Sequence, residues 1–202
     1  RPRPVAGLVS WPDVRKEACN SVKYDTPEWI AWLAGILDGE GWIGMAQGLR
    51  PASRFRGIYH SPGLQLATTS RPMMERAASI IEAITGCHVP LYRKVDNTAE
   101  ASGHRPAWVI RFTARSTILL ILSTVRPYLV AKDQQADLLM GYLRRHAALP
   151  WSRARTEATV EADQIDFDRL RLLNGRPGDV ETLARLQRML GLTEKEIHRE
   201  PN

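Results

Sequence analysis

The sequence predicts an α+β fold: a four-stranded antiparallel sheet with helices packed against one face and the other face left open. Three observations carry this expectation. Between residues 26 and 147 the apolar patterns run helix, two strands, helix, two strands, two helices. The strand segments alternate in polarity, so each has one apolar face. Positive charge gathers in the strand region, where residues 50–115 hold 10 basic and 4 acidic side chains.

The elements follow in chain order. Residues 1–25 form a polar, proline-bearing lead-in. Thr26 is a good N-cap and Pro27 fits the first helical position, where its missing N–H costs nothing. The helix EWIAWLAGILD should then end at Gly39–Gly41. Residues 42–47 read as a strand and 58–68 as a second, with Pro62-Gly63 suggesting a bend or bulge. The connection between them, 48–57, is arginine-rich. Residues 71–85 form an amphipathic helix with Met74, Ala77, Ala78 and Ile81 on one face, and Gly86 ends it. Strands are expected at 88–94 and 107–113. In the second, Trp108, Ile110 and Phe112 share one face, and Val109, Arg111 and Thr113 the other. Helices at 116–126, stopped by Pro127, and at 132–147 complete the unit. Further short helices are expected at about 158–173, 179–190 and 194–199. Trp151 is a candidate anchor for this tail. The stretch TLARLQRMLGLTEKEIHR faintly suggests a helix-turn-helix, although a helical cap on the core is the better fit. The organisation is therefore an N-terminal arm (1–25), a core (26–150) and a C-terminal helical extension (151–202).

Composition narrows the partners. The 202 residues carry a net charge of +6. Residues 1–150 hold 19 basic and 12 acidic side chains, whereas 151–202 hold 9 and 10. A basic sheet surface is an electrostatic footprint suited to nucleic acid. The two cysteines, Cys19 and Cys87, form no CxxC pair and cannot complete a zinc set. They fit a reducing, intracellular compartment, either cytoplasm or a DNA-containing organelle. No apolar run approaches the roughly 20 residues of a membrane span, and no signal peptide is visible.

Residues 33–41 read Leu-Ala-Gly-Ile-Leu-Asp-Gly-Glu-Gly, with Trp32 before them and a strand after. This segment resembles, position for position, the motif that names the LAGLIDADG homing endonucleases. The physics of the helix agrees. Ala31, Ala34, Gly35 and Asp38 lie at i, i+3, i+4 and i+7, and small residues on one face let two helix backbones approach. A glycine inside a helix costs about 1 kcal/mol relative to alanine. A tight helix–helix contact would compensate for Gly35. In the family the motif helices pair between two half-domains. One copy here implies a homodimer of two-fold symmetry, with Ala31, Ala34, Gly35 and Asp38 at its interface.

The resemblance also implies a chemistry. Glu40 stands at the C-terminal end of its helix, where the helix dipole disfavours an anion, and a cation would neutralise it. It occupies the acidic position that ligates the catalytic metal in the family. The Gly39 carbonyl is the second ligand, and the oxygen donors suit Mg²⁺, with Mn²⁺ as a substitute. No small-molecule cofactor beyond the metal is implied. Residues 64–70 (LQLATTS) are similar to the family's second-strand ending, so Thr68 or Thr69 could position a water, although the family usually has Asn or Gln there. Residues 126–143 are similar to the family's later PYL…K…QA helix. They place Lys132 at its active-site lysine, able to stabilise charge on the phosphate or polarise water. The resemblance covers about residues 27–147.

The implied activity is metal-dependent hydrolysis of both strands at a long pseudo-palindromic site in double-stranded DNA, leaving 3′ overhangs. Sheet-face residues would read base edges in the major groove. The candidates are Gln65, Arg93 or Lys94, Arg111, and the loop residues Arg50, Arg54 and Arg56, with Tyr92 and Arg105 behind them. Gly44 and Ala46 share a face with Trp42, so the first strand is poor in polar readers and either bulges or reads shape. The family setting is intron-encoded, and with no splicing-domain sequence beside the core a free-standing chain is the simpler expectation. A non-cleaving DNA-binding regulator on the same fold and an intron RNA maturase are the rival readings. Loss of the acid at position 40 would favour either, and Glu40 is present.

Overall fold

A computed structural model describes residues 24–50, 57–94, 106–147 and 156–175, with side chains 49, 50, 57 and 58 excluded. The elements are α1 (Pro27–Glu40), β1 (Gly41–Arg50), β2 (Gly57–Thr68), α2 (Arg71–Thr85), β3 (Tyr92–Lys94), β4 (Ala107–Phe112), α3 (Arg115–Val125), a 3-10 turn (Arg126–Tyr128), α4 (Asp133–Ala147) and α5 (Glu157–Leu173). The four strands form one sheet in the order β1-β2-β4-β3, antiparallel throughout. The expected α+β architecture is therefore present.

Local chemistry sets the element ends. Thr26 is extended at the N-cap of α1 and Pro27 opens the helix, but the Thr26 hydroxyl does not cap it. It bonds instead to the Glu28 carboxylate, which holds that group's pKa below its usual value. Gly86, with φ of 68°, closes α2 in the left-handed region that glycine adopts freely.

The β1–β2 ladder is unbroken from Gly41↔Leu66 to Arg50↔Gly57, so Pro62 pairs in register with Met45 and there is no bulge. The reason is positional. β4 pairs only with Leu64–Thr68, leaving Pro62 on a stretch of β2 with a free edge, where its missing N–H costs no ladder bond. The same ladder shortens the expected 48–57 connection, because pairing continues to Arg50 and Gly57. The strand expected from residue 88 is only Tyr92–Lys94. Upstream, Val89 is buried and its N–H donates to Glu82 Oε1 at 2.8 Å, and Pro90 has no N–H to give.

The ladder register sorts the two sheet faces. Ile43, Met45, Leu64, Leu66 and Ile110 point to the helical layer and are buried there with Leu33, Ala34 and Leu37 of α1. The four α2 residues expected on one face are all buried. Trp108 and Phe112 pack against the same core, and Arg71 of α2 lies over the Trp108 ring at 4.9 Å.

Helix α5 covers the outer side of β1 and joins the core through Phe167 and Leu170. The Asn174 amide donates to the Ile43 carbonyl (3.0 Å), Gln47 pairs with Gln164 (3.0 Å), and buried Gln135 donates to the Leu173 carbonyl (3.1 Å). These contacts blunt an edge strand. Between α4 and α5 lies a buried ionic cluster. His146 Nε2 meets Asp163 Oδ1 at 2.7 Å, and Arg145 bonds Asp166. Trp151 and the helices expected at 179–190 and 194–199 lie outside the described residues.

Asp163 is fully buried. Removing one partner of a buried pair leaves the other uncompensated, so Asp163→Ala should lower unfolding stability by about 3 kcal/mol. Urea unfolding of the two proteins would measure it, and a loss below about 1 kcal/mol, the level of an exposed ion pair, would contradict the assignment.

Candidate active site and nucleic-acid face

The site begins where α1 runs into β1. A helix ends with carbonyls that have no partner and with partial negative charge. Here Lys132, just before α4, donates to three carbonyls around that end, of which Leu37's also accepts the Gly41 N–H. Its Nζ donates to the carbonyls of Leu37 (2.8 Å), Asp38 (2.7 Å) and Gly41 (2.7 Å). An ammonium has three protons, and all three are taken. Lys132 therefore acts through its fixed charge and its hold on the turn, with no N–H left to reach a phosphate directly. Burial lowers its pKa, and the carboxylates of Asp38 and Glu40 oppose that shift.

Asp38 returns the grip. Its two carboxylate oxygens accept the backbone N–H groups of Val130 (2.8 Å) and Lys132 (2.9 Å). Arg126 braces the same loop through a two-pronged contact with Asp137, 2.7 Å at each prong. The loop 129–132 and the end of α1 are thus clamped together by side chains some 90 residues apart.

Glu40 is exposed at this helix end, and no basic residue lies in the last turn of α1. Among the described residues its carboxylate makes no hydrogen bond or ion pair, and its charge is felt by Lys132. The carbonyl of Gly39 is not among the three that Lys132 occupies. One carboxylate beside a carbonyl fits a hard divalent ion that keeps most of its shell as water and phosphate oxygen. No group of three His, Cys, Asp or Glu side chains able to hold a metal occurs among the described residues. An ion here would thus depend on the substrate, or on a carboxylate from outside the described residues.

The face of α1 expected to meet a partner helix is divided. Ala34 is fully buried in its own core and Asp38 is spent on the 130–132 loop, so neither belongs to a free interface. Ala31 is half-buried, Gly35 and Gly39 are exposed, and a Cβ added at either glycine would meet nothing within 4 Å. The free stripe is rotated toward 31, 35 and 39. Periodicity could not separate the two faces, because Ala34 is small enough for either.

The other candidate residues lie on the open side of the sheet. Cross-strand partners share a face, so Trp42, Gln65 and Arg111 form a row across three strands. Gln65, Tyr92, Lys94, Val109, Arg111 and Thr113 line an open groove of about 660 Å³. Of the neighbouring pair, Lys94 is the one that faces this groove. Arg93 pairs with Trp108 and takes the opposite side. Thr68 also shares the Trp108 side, and its hydroxyl accepts the Ser70 N–H at 3.3 Å as a local turn contact. The structure does not bring it into the row of groove residues. Arg54, Arg56 and Arg105, and the side chain of Arg50, lie outside the described residues.

No protein-family model matches the chain, and comparison with the curated proteins gives no match. Solved structures do match. The homing endonuclease I-CvuI, in complex with a target DNA in 2 mM Mg, superposes with a TM-score of 0.58 at 18% identity, over 81% of this chain and 95% of that one. The archaeal intron-encoded homing endonuclease I-Vdi141I, complexed with DNA, gives 0.59 at 9% identity, over 78% and 92%. The LAGLIDADG homing endonuclease I-SmaMI, bound to cleaved DNA, gives 0.57 at 13% identity, over 85% of this chain and 51% of that one. The fold is that of the LAGLIDADG homing endonucleases, as the motif at residues 33–41 led one to expect.

Two outcomes would check the clamp. Lys132→Met leaves three helix-end carbonyls without their charged donor and should cost about 2 kcal/mol of stability. Asp38→Asn offers one acceptor oxygen to two N–H groups and should cost about 1 kcal/mol. Thermal denaturation of both variants reads the difference, and equal melting temperatures for Lys132→Met and the unmodified protein would exclude the clamp.

Proposed function

We propose that the chain is a site-specific homing endonuclease that cuts both strands of a long pseudo-palindromic DNA site by phosphodiester hydrolysis. The observation that carries this reading is Glu40, an exposed carboxylate with no partner among the described residues, held at a helix end that disfavours it, in a chain whose open sheet face carries Gln65, Lys94 and Arg111. The arrangement stores an anion where it is destabilised by the helix dipole. A divalent cation held there would be favoured electrostatically, in addition to the nearby Lys132 charge.

Glu40 and the Gly39 carbonyl would hold a divalent ion, Mg²⁺ or Mn²⁺. Such an ion supplies Lewis acidity at the phosphate and an activated water. Lys132 keeps the helix end in place and adds positive charge beside the reacting phosphate. Gln65, Lys94 and Arg111 orient the duplex from the groove side, and Arg50, Arg54 and Arg56 are further candidates for contact with it. Thr68 keeps its place as a water-positioning candidate only if the Ser70 contact is exchanged on DNA binding.

The active form is a homodimer. The chain spans nearly all of I-CvuI and about half of I-SmaMI, as expected of one half of a two-fold assembly. Exposed Gly35 and Gly39 give α1 a surface on which a second α1 can lie at close range, bringing two Glu40 carboxylates to the axis. Each would serve one strand, leaving 3′ overhangs. An exposed free Cys87 suits a reducing intracellular compartment, and the setting is intron-encoded.

The test is incubation with a diverse genomic DNA pool in Mg²⁺, followed by sequencing of new ends, alongside Glu40→Gln. Double-strand cuts from the unmodified protein and none from Glu40→Gln are expected, with chelation of the metal also stopping the reaction. If neither cuts while both enrich one site, the chain is a DNA-binding regulator; preference for structured RNA would instead identify a maturase. The dimer is checked separately. Gly35→Ala should raise monomer stability by about 0.5–1 kcal/mol, because an exposed helical glycine gains from a Cβ, whereas Gly35→Arg should shift the mass in sedimentation from dimer to monomer. An unchanged dimer in Gly35→Arg would remove α1 from the interface.

A further inference from the structure

The open face of the sheet has two unlike halves. The half built by β2, β4 and β3 carries Gln65, Arg111 and Lys94. The half built by the β1–β2 hairpin carries Trp42, Gly44, Ala46 and Gly48 on β1, with Tyr59, Ser61 and Gly63 opposite the last three on β2. Among the described side chains of this half none is charged. Its three glycines are covered. A Cβ at Gly44 would lie 2.7 Å from Cζ2 of Trp42, and one at its cross-strand partner Gly63 would lie 2.6 Å from Cζ3 of the same ring. A Cβ at Gly48 would meet the Tyr59 ring at 2.6 Å. One indole therefore lies flat across two facing glycines, and a phenol lies over a third.

Aromatic rings laid over sheet glycines can serve stability alone, by restoring packing the glycines lack. Two further facts go beyond that. Trp42 heads the row Trp42–Gln65–Arg111 on the groove side, and it stands two residues after Glu40. A base-pair edge placed over this row would meet an apolar plane, an amide and a guanidinium in turn. In the major groove the apolar feature is the thymine methyl, while amide and guanidinium match adenine and guanine edges.

We propose that Trp42 is the specificity residue of the first hairpin, and that it selects thymine by contact of the indole plane with the C5 methyl group, with Tyr59 extending the same apolar surface along the strand. This rests on the reading of the open face as a DNA-binding face. It explains how the Trp42–Gly48 stretch, which has no polar reader on this face, contributes to sequence choice: the glycines clear the space and the ring fills it with a surface that recognises shape and a methyl.

The experiment uses the full-length protein and a duplex selected from a random-sequence pool for binding in Ca²⁺. Each thymine of the selected duplex is replaced in turn by deoxyuridine, which lacks only the methyl. The unmodified protein should lose about fourfold in affinity at one thymine per half-site, the scale of one buried methyl. Trp42→Ala should show no loss at that thymine while keeping its losses elsewhere, and Tyr59→Phe should behave as the unmodified protein does. Should Trp42→Ala fail to fold, Trp42→Leu replaces it, since it retains apolar cover without the plane. If no single thymine distinguishes the unmodified protein from the Trp42 variant, the rings only cover glycine and the inference is overturned. If no duplex is enriched from the pool at all, the DNA-binding reading itself fails, and the inference with it.

Discussion

Everything at the site depends on one ammonium group. Lys132 holds three backbone carbonyls at the point where α1 turns into β1, and Asp38 answers by holding the backbone on either side of residue 131. The chain reverses from helix to strand within one residue, a change that leaves several carbonyls exposed at the negative end of a helix. A single charged donor at their centre solves the hydrogen-bonding problem and the electrostatic one together. It also makes Glu40 tolerable. A lone carboxylate at that end would be repelled by the helix, and the Lys132 charge offsets this without forming a direct contact. Among the described residues Glu40 therefore keeps its carboxylate without a partner.

The sheet divides its labour by face. On the helical side the core is closed by α1, α2, α3 and α4, with α5 laid over the edge of β1. The ionic cluster of His146, Asp163, Arg145 and Asp166 fixes how α5 sits on α4, where apolar packing alone would tolerate sliding. Such a cluster adds little net stability over a hydrophobic equivalent, but it accepts one geometry. That geometry matters, because Asn174 and Gln135 tie the end of α5 to β1 and α4. The groove lined by Gln65, Lys94 and Arg111 stays open on the other face.

Where the information was local, the sequence could be read directly. The bounds of α2 follow from its periodicity and from Gly86, and the two faces of β4 follow from alternation. The motif at 33–41 located the site. What escaped reading was decided by contacts distant along the chain. Nothing near Lys132 shows that its protons go to residues 37, 38 and 41. β3 begins late because the Glu82 carboxylate intercepts the Val89 N–H, a contact across seven positions with no sequence signature. Pro62 looked disruptive because the pattern cannot show which stretch of β2 has a free edge. Ala34 and Gly35 looked equivalent on a helical wheel, and only the tertiary core separates them.

The nine residues of the motif are then separately constrained, which explains why so short a segment is informative. Leu33, Ala34 and Leu37 fill the core, and Ile36 packs at its margin. Gly35 and Gly39 keep the outer face bare. Asp38 anchors the Lys132 loop, and Glu40 has no partner among the described residues. Gly41 cannot be anything else: a Cβ there would clash with the Leu37 carbonyl oxygen and lie 2.9 Å from the Leu37 Cα. Its own N–H closes the helix on that carbonyl, so the residue cannot move away. Core, outer face, clamp, charge and turn meet within about two and a half turns. Adjacent positions on a helix point in directions about 100° apart, so each of these demands falls on a different residue of the segment.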